Sequence, residues 1–216
     1  MHFINTFIDS IDIFTSATLV TLQLTAVSIL LAIVLGLFIA ILKLTNIKIL
    51  NWIADIYIWI IRGTPLVVQI FVLYYGMTSF FLLSAFWSAA IALGIHNGAY
   101  IAEIFRGAVQ SIDKGQREAG YSLGMSLPLT MRRIILPQAF RRSLPSLANQ
   151  FIINLKDSAI AAFIGMQELF GTATSEGSNN FDYLTFYLIV AVYYLVLVLV
   201  LTFLVNRLEK RLARQE

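Results

Sequence analysis

Cysteine is absent from this chain, and histidine occurs only twice. Disulfides and thiolate metal sites are thereby excluded, and His2 and His96 make no metal pair. Charge is scarce as well: Asp, Glu, Lys and Arg make up 12% of the 216 residues, against roughly 25% in soluble domains. Hydrophobic residues reach 59%, and the mean hydropathy is +0.81. Such a chain is a membrane protein. A phosphate loop is also lacking, as is an acidic pair placed for magnesium, so no nucleotide chemistry is expected here. The start, MHFINTFIDSIDIF, has no basic region and carries Asp9 and Asp12, so no cleavable signal peptide is expected.

What is present is a series of long apolar segments. A bilayer-crossing helix needs about 20 mostly apolar residues. Five candidates satisfy this: Ala17–Leu44, Leu50–Phe81, Ser84–Arg106, Leu144–Phe163 and Tyr183–Val205. They predict an all-α polytopic protein with five transmembrane helices in one domain over residues 1–216. The first carries Thr18, Thr21, Thr25, Ser28, Ala32, Gly36 and Ala40 at helical spacing, a small-residue stripe suited to close packing in lipid. The second is interrupted at Arg62-Gly63-Thr64-Pro65, where a kink or break is expected. The amphipathic start, Ile4 to Phe14, reads as a helix lying on the outer surface or as a disordered tail.

The pI of about 9.2 would suit nucleic acid, but the cations are topological anchors, so no nucleic-acid partner is expected. Lys43 and Lys48 lie between spans one and two. Lys114, Arg117, Arg132, Arg133, Arg141 and Arg142 lie between spans three and four. Arg207, Lys210, Arg211 and Arg214 follow span five. Residues 81–84 and 164–182 contain no Lys or Arg. This bias predicts an outer N-terminus, an inner loop at 107–143 and an inner C-terminus.

That loop contains REAGYSLGMSLPLTMRRIILP, Arg117 to Pro137, which reads as two short helices joined by a turn. Glu118, Ala119, Gly124, Ile134, Leu136 and Pro137 fall in the register of the EAA signature: Glu-Ala-Ala, three residues, Gly, nine residues, Ile-x-Leu-Pro. Gly120, in place of the second Ala, is the one departure. Arg62-Gly63-Thr64-Pro65-Leu66 with Gln69 resembles a second-span signature of polar amino-acid permeases. Asn97-Gly98-Ala99-Tyr100-Ile101-Ala102-Glu103 with Arg106-Gly107 resembles their third-span signature. Lys114-Gly115-Gln116, Asn149-Gln150-Phe151 and Leu155-Lys156-Asp157-Ser158 are similar to the family as well.

By these motifs the chain resembles the membrane permease subunits of ATP-binding-cassette importers for amino acids of the histidine, arginine and glutamine type. The resemblance spans about Thr18 to Glu168. It implies the permease core of a type I importer in the bacterial inner membrane. It implies a second permease subunit, identical or paralogous, two cytosolic ATPase subunits and an extracytoplasmic substrate-binding protein. The chain itself then needs no cofactor, ATP and magnesium being held by the ATPase.

Two sets of residues become candidates. Glu118, Ala119, Gly120, Gly124, Leu136 and Pro137 are expected to dock the loop in a groove of the ATPase. There Glu118 supplies a charge, Ala119 and Gly120 a close-packing surface, and Gly124 a sharp turn. Asn97, Tyr100 and Glu103 share one face of span three, and Gln150, Asn154 and Asp157 one face of span four. If these faces meet they line a polar cavity, because intramembrane ionisable groups are costly without a cavity or partner. Glu103 or Asp157 would take a cation, and Lys156 a carboxylate. Two acids and one base match a basic amino acid best. A Glu103–Arg106 pair one turn apart would remove that argument. Arg62 reads as a structural anchor, and Trp52, Trp59 and Trp87 as an interfacial belt.

Three rival readings make demands that this sequence does not meet or does not need. An ion-coupled secondary transporter calls for an inverted repeat and matched broken helices, and only span two is broken. A membrane enzyme requires a nucleophile or metal cluster in a span. A small assembly subunit does not require polar faces in spans three and four.

Overall fold

Helix formation follows the apolar segments and stops at the chain's few breakers. The computed structural model describes residues 2–45 and 47–212; Arg214, one of the expected C-terminal cations, lies outside them. The described residues are helical apart from short connections. Helix α1 (His2–Asp9) leads through Ser10 into α2 (Ile11–Leu44). The second segment forms α3 (Lys48–Gly63) and α4 (Leu66–Phe71), the latter running into a π-helical turn at Val72–Gly76. Helix α5 (Ala85–Gln110) is the third segment. The loop holds α6 (Lys114–Ser122) and α7 (Leu127–Thr130), and a π-helical turn at Met131–Ile135 joins α7 to α8 (Leu136–Asp157). A 3₁₀ turn at Ser158–Ile164, α9 (Leu169–Asn180) and α10 (Tyr183–Leu212) complete the chain.

Helix α2 is about 50 Å long at 1.5 Å per residue, and it forms the axis of the molecule with α5. The small-residue stripe explains why. Thr21, Thr25, Ser28, Ala32, Gly36 and Ala40 are all buried, with Thr18 half-buried at the end of the row. A Cβ placed on Gly36 would lie 2.6 Å from Ile101 Cγ2 and 2.9 Å from the Gly98 carbonyl oxygen. Only glycine lets the two backbones approach so closely.

The break at Thr64-Pro65 is present. Thr64 and Pro65 are extended, and the axes of α3 and the segment Leu66–Gly76 are bent by 104°. Pro137, by contrast, does not end a helix. It lies just after the π turn Met131–Ile135, in which the Leu136 N–H bonds back to the Met131 carbonyl, and the helix runs on through it. The second helix of the loop is therefore continuous with α8 through the π turn, rather than a separate element. Helix α1 is ordered, and Phe7 and Phe14 stack on Tyr193 of α10 with ring centroids 5.9 and 5.3 Å away.

By length and apolarity, Ile11–Leu44 and Tyr183–Arg207 can each cross a membrane, and the bent pair in the second segment is a third if it counts as one span. The expected count of five is thus not established on these grounds. Helices α5 and α8 carry too many polar side chains to meet them.

Candidate functional site

The polar faces of α5 and α8 do meet, as their spacing predicts, but they meet each other. Asn97 donates to the Leu93 carbonyl at 2.9 Å and to Asn154 Oδ1 at 2.8 Å. Asn154 donates to the Thr25 carbonyl at 3.2 Å and to Ser28 Oγ at 2.8 Å. Gln150 donates to Asn97 Oδ1 at 2.6 Å. Asn97 and Asn154 are fully buried, and both donors of each amide are spent. The expected cavity lining is at this level a closed lock across α2, α5 and α8. Buried amides in an apolar surrounding are tolerable only when satisfied in this way.

One turn along α5 from Asn97, Tyr100 is half-buried. The Arg62 guanidinium lies 5.1 Å from its ring centroid, and the His96 ring is 5.2 Å away. The next residue of this face, Glu103, is gripped by Arg106. Nε reaches Oε1 at 2.9 Å, and the second guanidinium nitrogen reaches Oε2 at 2.7 Å. Arg106 also donates to Gln110 at 2.7 Å. A second ion pair, Lys43–Asp55, ties the end of α2 to α3. The carboxylate of Glu103 is thus matched within the chain.

Lys156 and Asp157 are different. They end α8 at its change to 3₁₀ geometry, Lys156 exposed and Asp157 half-buried. Neither has a hydrogen bond or ion pair to a third residue among the described residues. Two adjacent, opposite charges at the end of α8 are thus left uncommitted among the described residues.

Gln69 matches the second-span signature without a role of its own there, and the structure supplies one. Its Nε2 donates to the Ile61 carbonyl at 2.8 Å, the Thr64 carbonyl at 3.2 Å and Thr64 Oγ1 at 2.9 Å. These carbonyls lose their helical partners at the Pro65 break, and in lipid a bare carbonyl costs several kcal/mol. Gln69 Oε1 faces His96 Nδ1 at 3.3 Å, so the staple also reaches α5. The break was the only signal for it. Glu168 gave no signal at all. It is fully buried, caps α9 by accepting from Phe170 N at 3.0 Å and Gly171 N at 2.7 Å, and accepts from the Tyr194 hydroxyl at 2.9 Å. Burial pushes its carboxyl up to about 7, against the three donors that favour the charged form.

In the loop, Asp113 caps α6 by accepting from Gly115 N at 2.7 Å. Gly124 follows α6 with φ +74, the left-handed conformation that favours glycine. Gly120 is buried against Thr130. Glu118, Ala119, Leu136 and Pro137 are exposed. So are several large apolar side chains: Tyr121 at 47%, Leu123 at 79% and Leu127 at 44%. These apolar side chains stand exposed on a loop that is otherwise largely polar.

The chain matches the family model described as binding-protein-dependent transport system inner membrane component over residues 5–214. It is 36% identical over 195 residues to the arginine transport system permease protein ArtQ of Bacillus subtilis, covering 89% of each chain. It is 46% identical over 165 residues to the glutamine transport system permease protein GlnP of Escherichia coli K12, covering 75% of each. A crystal structure of an amino acid ABC transporter with histidines superposes with a TM-score of 0.92 at 39% identity, over 95% of this chain and 97% of that one. A chain of the MetNI methionine ABC transporter shares the fold, with a TM-score of 0.82 at 19% identity, covering 94% of this chain and 98% of that one.

Proposed function

The chain belongs to the family of binding-protein-dependent transport system inner membrane components, and on that premise we propose how it carries its solute and couples to its partners. It is a permease subunit of an amino-acid ATP-binding-cassette importer, with the type I permease fold. In our reading it crosses the inner membrane five times with its N-terminus outside and its C-terminus inside. It pairs with a second permease, receives amino acid from an extracytoplasmic binding protein, and is driven by two cytosolic ATPase subunits through the loop 107–143. The exposed apolar group Tyr121, Leu123 and Leu127, beside Glu118 and the glycine turn, supports that docking. The ion-coupled alternative finds no comparable support.

The solute is an amino acid, and the observation that carries this reading is the uncommitted pair Lys156 and Asp157. One base and one acid match the carboxylate and ammonium common to all amino acids. A basic side chain was expected from two free acids, and the Arg106 grip on Glu103 withdraws one of them. Tyr100 lies one turn along α5 from Asn97, and Asn97, Gln150 and Asn154 hold α5 against α8.

The test is uptake of arginine, histidine and glutamine by Lys156→Gln, Asp157→Asn and Glu103→Gln variants of the reconstituted importer. Loss of all three solutes in the first two variants is expected. Loss of arginine alone in Glu103→Gln would reinstate the basic preference. Undiminished uptake in both Lys156→Gln and Asp157→Asn would sink this assignment of the site. Asn154→Ala should instead lower the melting temperature and leave the order of preference among solutes unchanged.

A further inference from the structure

Four guanidinium groups among the described residues have partners within the chain. Arg106 holds Glu103, Arg142 donates to the Ser111 carbonyl at 2.7 Å, and Arg62 and Arg207 lie over the rings of Tyr100 and Phe203. Arg133 and Arg141 are exposed and have no such partner among the described residues, yet both line one cavity of about 270 Å³ with Ile134, Pro137 and Gln138. Two exposed cations lining one cleft favour an anion between them. The amide donors of Gln138 are already spent on the Ile134 carbonyl and Gln116, so the cleft offers an anion its two guanidiniums.

Position and surroundings narrow the anion. Arg141 stands three residues before Leu144, the start of the expected fourth span, hence about 5 Å outside it and at headgroup depth. Nearby along α8, Leu136 and Phe140 border a second, apolar cavity of about 140 Å³ with Leu37, Ile41, Leu44 and Phe105. A basic cleft beside an apolar slot at the cytoplasmic surface fits one molecule with a phosphate and an acyl chain.

We propose that the Arg133–Arg141 cleft binds the phosphate of an anionic phospholipid of the cytoplasmic leaflet, one of whose acyl chains lies in the apolar slot between α2, α5 and α8. The proposal rests on the inward orientation of the loop argued above. Thiol labelling of introduced cysteines reads that orientation independently, so failure of one is distinguishable from failure of the other.

The test uses the permease–ATPase complex in detergent, titrated with fluorescent phosphatidylglycerol and, for comparison, fluorescent phosphatidylcholine. Removing both charges, Arg133→Gln with Arg141→Gln, should weaken phosphatidylglycerol binding roughly thirtyfold, at about one kcal/mol per basic residue. Phosphatidylcholine binding should not change. A single Arg141→Lys change should retain most of the affinity, which guards against a merely misfolded variant. Unchanged affinity in the double variant would overturn the proposal. So would an equal loss in Arg132→Gln, which would make the attraction diffuse surface charge. Displacement of the lipid by millimolar inorganic phosphate would show a free-anion site instead. Loss of the ATPase with lipid binding intact would make the cleft a subunit contact.

Discussion

A Cβ built on Gly120 would stand 2.8 Å from Thr130 Cγ2 and 2.9 Å from Thr130 Oγ1, so α6 packs on α7 through a contact that only glycine allows. The one departure from the loop's signature thus has its physical cause ten residues later. Thr130 Oγ1 is buried without a hydrogen-bond partner, so the threonine contributes volume here and no bond.

Gly120→Ala should therefore displace α6, and Thr130→Ala should restore it by removing both clashing atoms. We expect Gly120→Ala to lower uptake per ATP hydrolysed while the protein stays in the membrane. The double variant should recover most of the loss. Equal coupling in the native protein and the single variant would show that α6 shifts without consequence.

Gln69→Leu should destabilise the bent second segment. It strips donors from the Ile61 and Thr64 carbonyls and from Thr64 Oγ1. Thr64 Oγ1 keeps its bond to the Ile60 carbonyl, so at about 1–3 kcal/mol for each of the two carbonyls left unpaired the loss is at most roughly 2–6 kcal/mol. A melting curve of the purified protein measures it. Gln69→Glu should fail to rescue, since a carboxylate cannot donate.

Stability should also depend on pH through Glu168. Its carboxyl titrates near 7 in the folded chain, against an ordinary value of 4.5. A raised value means that the folded state holds a proton that the unfolded state has released. The stabilisation is complete below pH 4.5 and is lost as pH rises to about 7. Melting temperatures of the native protein should fall across that window, and Glu168→Gln should flatten the fall.

The orientation has a direct check, because the chain has no native cysteine. Cysteines placed singly at Ser126 and Ser178, both exposed, can be probed in intact cells with an impermeant thiol reagent. Position 178 should label and position 126 should not. The reverse pattern would invert the topology.

Much of this molecule was legible in the residues alone. Pro65 has no N–H to give, so a break there follows from its covalent structure, and the bend is found where the proline is. The spacing of Thr21, Thr25, Ser28, Ala32, Gly36 and Ala40 places them on one helix face, and that face is buried. Gly124 takes a left-handed turn that disfavours residues with a Cβ. These features depend on local geometry, which the chain carries with it. The fate of the polar side chains was not local. Asn97 and Asn154 lie 57 positions apart, and only the packing of α5 on α8 lets them bond to each other rather than to a solute. Gln69 became a staple because the bend brought three acceptors to its amide. Lys156 and Asp157 have no hydrogen bond or ion pair to a neighbouring helix among the described residues. A hydrogen bond or ion pair needs two groups at about 3 Å, and the tertiary structure alone decides which groups arrive there.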